Sequence, residues 1–244
     1  MTAAIRNPFF EHPPSSQSAP RARLLTLEGM PGAGKTTLSS MLTGQGHRVI
    51  GEYTAQAPTS AGCADQAVLP RTLRRNEHPA VDDDRAHQAN WIRKAVQATE
   101  ALRAGGPVFV DRDWLSSLAY AYSIADTDQG RLLRQRVTWA QENLADQKLL
   151  VADGYMVFDL DVSLSLSRRA ATLRPEHPWS RPRVLYRLRS FYRRPITILQ
   201  RLSPELAVQL GQTRWSFLRG TTSLNHALTL VHALAQTTDG RRDP

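Results

Sequence analysis

The sequence predicts an α/β fold: a parallel sheet of about five strands, helices on both faces, and an Arg-rich lid. Three observations predict it. Short runs rich in Val and Phe, such as Val108-Phe-Val110 and Met156-Val-Phe158, alternate with stretches of helical pattern, the signature of buried parallel strands joined by helices. Gly29-Met-Pro-Gly-Ala-Gly-Lys-Thr36 fits G-x-x-x-x-G-K-[ST], the P-loop pattern, and has an apolar run before it and a helical run after it. From Arg168 to Arg201 there are ten arginines and one acid, Glu176.

Taken in order, strands are expected near Leu24–Glu28, Arg48–Glu52, Val108–Asp111, Tyr155–Asp161 and Trp215–Leu218. Helices fit Thr36–Leu42, Asp83–Ala104, Asp113–Ile124, Arg131–Lys148, Leu164–Leu173, Arg183–Leu202 and Leu224–Ala235. The Asp82-Asp-Asp84 run reads as a helix start with favourable charge at the N-terminus. Thr54 to Val81, with Pro58, Pro70 and Pro79, is a long irregular insertion, of a length that is usually functional or disordered. Residues 1–20 are rich in Pro, Ser and Ala and read as a disordered lead-in. Residues 21–237 are expected to form the P-loop domain, with the lid at about 168–183, and 238–244 read as a loose tail.

The strand, Gly-rich turn and helix make a P-loop NTPase-type phosphate site. Backbone N–H groups and the helix N-terminus converge on one spot. Gly29, Met30, Pro31, Gly32, Ala33, Gly34, Lys35, Thr36 and Thr37 would surround the donor phosphates, with Lys35 at the β- and γ-phosphates and Thr36 at Mg²⁺. The chain has 28 Arg and 3 Lys. Its first lysine falls where a compact ammonium is wanted rather than a planar fork.

Composition limits the alternatives. At 244 residues the chain is one domain, or one domain plus a lid. Cys63 is the only cysteine, so no internal disulfide forms and a reducing, cytoplasmic setting is expected. No stretch approaches the ~20 apolar residues of a membrane span, and no apolar signal core opens the chain. The seven histidines show no zinc spacing. The net charge of +9 suits nucleic acid or polyphosphate. Because the excess is local to one segment, a polyphosphate site is the expectation and nucleic acid is not the expected partner.

In an open α/β sheet, ligands sit beyond the C-terminal strand ends, which directs attention to Glu52, Asp111, Arg112 and Asp161. Phe109-Val-Asp-Arg-Asp-Trp-Leu-Ser-Ser-Leu-Ala-Tyr120 resembles the Asp-Arg-x-x-x-Ser-x-x-Ala-Tyr element of thymidylate kinases and, more broadly, the Asp/Glu-Arg motif of deoxynucleoside kinases. Asp111 and Arg112 fall on its two working positions. Phe158-Asp-Leu-Asp-Val-Ser163 resembles the strand before the lid in these kinases, and Leu166 to Arg174 the helix and arginine-bearing lid after it. Leu218-Arg-Gly-Thr-Thr-Ser223 is similar to their last strand and adenine-side loop. The resemblance covers most of Arg23 to Ala235.

The resemblance implies an ATP- and Mg²⁺-dependent kinase of a nucleoside, nucleotide or similar small hydroxylated molecule. It implies that Asp111 partners the metal, that Arg112 clamps the acceptor side, and that Arg169 and Arg174 close from the lid. Thymidylate kinases carry an arginine-bearing loop after the second strand that holds the acceptor monophosphate. Gly51-Glu-Tyr-Thr-Ala-Gln-Ala-Pro58 has no arginine. Glu52 is instead similar to the base of deoxynucleoside kinases, and Gln88 to the glutamine that reads their nucleobase. Trp91 lies three residues on, on the same helix face, and fits core packing or base stacking equally. Kinases of other metabolites, such as antibiotics, share the scaffold. A nucleotide-switched ATPase that binds nucleic acid is the alternative of a different class. A homodimer stays open.

Overall fold

The computed structural model describes residues 23–52, 84–125, 130–171 and 173–236. The lead-in, the Thr54–Val81 insertion, Cys63, the Asp82–Asp83 start and the C-terminal tail lie outside them. Five strands form one parallel sheet: β1 Leu24–Gly29, β2 Arg48–Ile50, β3 Val108–Asp111, β4 Gly154–Asp159 and β5 Arg214–Arg219. Their order is β2-β3-β1-β4-β5. All six residues of β1 and all four of β3 are buried. Successive side chains on a strand point to opposite faces, so both faces of the sheet centre are covered.

The helices are α1 Lys35–Gly44, α2 Asp84–Arg103, α3 Leu115–Ile124, α4 Gly130–Ala145, α5 Val162–Arg169, α6 Pro182–Arg193, α7 Pro195–Leu199, α8 Pro204–Gly211 and α9 Leu224–Gln236. α1 touches β2, β3 and α9, whereas α6 packs along α3 and rests on β1 and β4. Phe109, Leu38, Leu118 and Phe191 are fully buried at 0% exposure, each contributing about 1.5–3 kcal/mol by leaving water. Tyr155 stacks on Trp215 with centroids 4.5 Å apart, tying β4 to the edge strand β5. Among the described residues no helix is long and apolar enough to cross a membrane.

Several elements differ from the sequence expectation. A single helix over Arg183–Leu202 is divided at Pro195, with Arg194 at φ −143° and ψ 48° between α6 and α7. Proline has no N–H to donate, and it disfavours helical backbone in the residue before it. A further helix, α8, has no counterpart in the sequence expectation. Ser203 caps it by accepting from Leu206 N–H at 3.2 Å, with Pro204 at the first helical position. Strands β2 and β4 stop at Ile50 and Asp159, so Glu52 and Asp161 stand beyond the sheet rather than in it.

His47, after α1, meets His232 on α9 with the two Nε2 atoms 3.0 Å apart, while its ring stands edge-on to Phe109 at 5.3 Å. Which ring donates depends on the tautomers. Burial, and then the neighbouring His232, hold the His47 pKa below its ordinary value of 6.5. The unfolded chain therefore takes up a proton first as pH falls. The contribution of His47 is complete above its unfolded value and is lost as pH falls toward the folded one. The melting temperature is expected to drop between pH 7 and pH 5, and His47→Gln to flatten that dependence. An equally steep profile in the variant would contradict this.

Candidate functional site

The P-loop joins β1 to α1 through backbone that glycine alone permits. Gly29 has φ +120°, and a Cβ there would lie 2.4 Å from the Phe158 carbonyl oxygen. Its absence lets Met30 N–H donate to that oxygen at 3.0 Å. Gly32 and Gly34 also have positive φ, +72° and +94°. The loop is held from outside as well. Ser165 Oγ donates to the Pro31 carbonyl at 2.8 Å. Arg168 bridges the Gly32 and Gly220 carbonyls at 3.1 and 3.2 Å.

Met30, Pro31 and Ala33 are buried, while Thr36 and Thr37 face outward at the start of α1, where backbone N–H groups lack helical partners. Lys35 curls under the loop. Its Nζ donates to Met30 O at 2.8 Å and to Gly29 O at 3.3 Å. Burial, and then Arg112, push this ammonium down to about 7, against the pull of Asp111, Glu52 and Glu28. The arrangement favours an anion, which would supply the missing countercharge.

Asp111 ends β3 and is buried. Its Oδ2 accepts from Thr36 Oγ1 at 3.3 Å. Its Oδ1 is buried with no hydrogen-bond partner. A hydroxyl and an unpaired carboxylate oxygen side by side are hard oxygen donors of the kind Mg²⁺ takes, so these residues fit that ion. Among the described residues no three His, Cys, Asp or Glu side chains cluster as a metal cage.

Arg112 follows and carries φ +64°. Its Nη1 donates to Gly29 O, Ser116 Oγ and Tyr192 OH, each at 3.2 Å, and lies 3.5 Å from Glu28 Oε2. Its Nε is 2.9 Å from Glu52 Oε1 in an ion pair. Glu28 is 0% exposed. Its Oε2 accepts from Ser116 Oγ at 2.7 Å and Tyr192 OH at 2.9 Å, and its Oε1 from Asp113 N–H at 3.0 Å. The guanidinium is thus fixed between two carboxylates, with α3 and α6 supplying hydroxyls.

Arg169, at the end of α5, holds its guanidinium 5.0 Å from the Trp179 ring centroid. Its Cγ would lie 3.3 Å from a Cβ at Gly32. Burial and then Arg112 lower its pKa, opposed by Glu52. Lys35, Thr36, Asp111, Arg112, Glu52 and Arg169 therefore share one region. Arg174 is exposed, five residues past α5. On α2, Gln88 is partly buried, and Trp91, 5% exposed, packs in the core with its ring centroid 6.4 Å from that of His87, a placement that meets the packing reading.

Three arginines of the segment, all on α6, are bonded within the fold. Asp159 receives Arg189 at 2.5 Å and Arg193 at 2.6 Å. Arg189 also reaches Asp161 at 3.2 Å, and Arg187 donates to Tyr122 O at 2.8 Å.

A family model described as an AAA domain matches residues 25–203. The chain belongs to the AAA domain family. No curated protein matches this chain. Among solved structures, this chain superposes on a deoxyadenosine kinase from M. mycoides with dCMP and dCDP bound, with a TM-score of 0.56 at 12% identity, covering 86% of this chain and 97% of that one. A second structure of that kinase, with dATP bound, gives a TM-score of 0.50 at 11% identity over 86% and 97% of the two chains. Thymidylate kinase from Candida albicans gives a TM-score of 0.52 at 15% identity, covering 88% and 91%. At these identities the likeness is one of fold: a P-loop α/β sheet of the nucleoside and nucleotide kinase kind.

Within this AAA domain the sequence reading missed four site residues. Glu28 and Tyr192 hold Arg112, and Asn90 and Lys94 hold the strand ends. Asn90 Nδ2 donates to Glu52 O at 3.0 Å. A glutamate inside a mostly apolar strand, directly before the P-loop, is a readable signal for Glu28. Tyr192 lies on a helix whose partner in the fold is not encoded in any local pattern.

Proposed function

We propose that this AAA domain is a kinase that transfers the γ-phosphoryl group of ATP, with Mg²⁺, to a hydroxyl of a nucleoside or similar small molecule. The observation that carries the reading is the ion pair at 2.9 Å between Glu52 and Arg112, beside the P-loop and its buried Lys35. In this reading the P-loop amides and Lys35 hold the donor phosphates, Thr36 and Asp111 hold the metal, and Arg169 offsets charge on the transferring group. Mg²⁺, when bound, would neutralise the phosphate oxygens. Glu52 orients the acceptor hydroxyl and takes its proton as the new O–P bond forms and the bridging O–P bond to ADP breaks. Gln88 stands on the α2 side for recognition of the acceptor.

A monophosphate acceptor fits less well. Arg112, the residue that would carry it, is engaged by Glu28, Glu52, Ser116 and Tyr192. Nucleic-acid binding has less support, since three of the ten arginines in the segment, Arg187, Arg189 and Arg193, have partners within the fold. Glu52→Gln keeps size and one acceptor oxygen but not basicity. Transfer is expected to fall by roughly 10²–10⁴-fold with nucleotide binding retained. Near-normal turnover in the variant would contradict the assignment of Glu52.

A further inference from the structure

Lys94 is one of three lysines among 31 basic residues, and it is only 2% exposed. It projects from the middle of α2 toward the carboxyl ends of two strands. Its Nζ donates to Asp111 O at 2.6 Å, Arg112 O at 2.6 Å and Glu52 O at 3.3 Å. An ammonium has three donors. All three are directed at main-chain carbonyls, and the three residues concerned are those that bring the carboxylates and guanidinium of the candidate site. The Trp91 ring lies over the same ammonium, 5.2 Å from Nζ to its centroid. No side-chain anion shares these bonds, so the lysine is a main-chain clamp rather than half of an ion pair.

The backbone at this point needs a clamp. Arg112 at φ +64° is in the left-handed region, which a non-glycine residue holds only where its surroundings over-determine it. On one side its N–H donates to Leu27 O at 3.0 Å. On the other its carbonyl is taken by Lys94. Rotating this peptide would release Lys94 from Arg112 and swing the guanidinium away from Glu28 and Glu52. The other strand end is fixed by the same atom together with Asn90. The choice of lysine in an arginine-rich chain follows: a point ammonium satisfies three converging carbonyls, whereas the planar guanidinium spreads its donors in a fork.

We propose that Lys94 is a positioning residue. It draws the ends of β2 and β3 together and holds Arg112 in its left-handed conformation, so that Glu52 and Arg112 face one acceptor. The effect on transfer rests on the kinase reading; the effect on the backbone does not.

The test pairs hydrogen exchange with kinetics on the full chain, using Lys94→Met, Lys94→Gln and Lys94→Arg. In Lys94→Met, amides of residues 48–52 and 110–114 are expected to exchange about tenfold or more faster through local opening, with the P-loop and α9 unchanged. Turnover is expected to fall by about 10²-fold, the cost of a misplacement near 1 Å, with the KM for ATP unchanged. Lys94→Arg keeps the charge and is expected to lose turnover to a similar degree.

Unchanged exchange at the two strand ends would overturn the proposal whatever the activity. So would full turnover in Lys94→Arg, which would make charge rather than placement the contribution. Faster exchange throughout the chain, or failure of both the Met and Gln variants to fold, would also overturn it by assigning Lys94 to the core. A wild-type chain that transfers no phosphoryl group would defeat the kinase reading alone, and the exchange result would still decide for or against the clamp.

Discussion

Lys35→Ala is expected to abolish phosphoryl transfer while leaving the fold intact. The lysine sits within the P-loop, donating to the Met30 and Gly29 carbonyls. Burial, and then Arg112, push its ammonium down to about 7. A buried cation beside a second cation contributes little to folding and much to an incoming anion. Phosphoryl transfer depends almost wholly on positioning and charge neutralisation, so losing this charge is expected to cost roughly 10³-fold or more in turnover. The melting temperature is expected to stay the same or rise. Turnover and thermal unfolding measured on the same preparation check both halves. A variant that turns over like wild type would remove the P-loop from the mechanism. One that fails to fold would make Lys35 structural.

Arg112→Met is the second large effect, and it strikes fold and chemistry together. Glu28 is 0% exposed, and Arg112 is the cation on it. Removing one partner of a buried ion pair leaves an uncompensated charge and typically costs about 3–5 kcal/mol. Glu52 also loses its partner at 2.9 Å. Adding Glu28→Gln to Arg112→Met removes the stranded charge while keeping an acceptor for Tyr192 and Ser116. The double variant is expected to recover most of the lost stability and none of the transfer. Chemical denaturation reports the first and a coupled ADP assay the second. If stability does not recover, the loss is not electrostatic in origin. If transfer recovers, Arg112 has no part in it.

What the sequence made legible follows from how local each signal is. The P-loop was readable because its glycines, lysine and threonine are consecutive and the backbone conformation they need is local. The Gly29 contact with Phe158 then shows why glycine is required there. The Asp-Arg pair was readable from its place at a strand end. The break at Pro195 was also in the sequence, as was the Ser203-Pro204 start of α8, but the apolar periodicity of Arg183–Leu202 masked both.

Glu28, Lys94 and Tyr192 act across separations of 84, 17 and 80 residues from their partners in the Arg112 cluster. Glu28 alone was marked locally, by its place in a mostly apolar strand, and for Lys94 and Tyr192 no pattern marks such pairings. The arginine excess was legible as composition but not in its use. Asp159 and the Tyr122 carbonyl, which absorb Arg187, Arg189 and Arg193, become their neighbours only once α6 packs on α3 and β4.

The central claim is that this P-loop passes a phosphoryl group to a hydroxyl held at Glu52. The most direct test supplies ATP labelled on its γ-phosphate, with Mg²⁺, to a panel of nucleosides, nucleoside monophosphates and other hydroxylated metabolites, and follows where the label goes. The expected result is a labelled phosphate monoester of one hydroxyl-bearing acceptor, absent with Lys35→Ala and strongly reduced with Glu52→Gln. Label appearing only in a nucleoside diphosphate would return Arg112 to the role of acceptor-phosphate clamp. Label released only as inorganic phosphate, and faster when nucleic acid is added, would contradict the kinase reading outright.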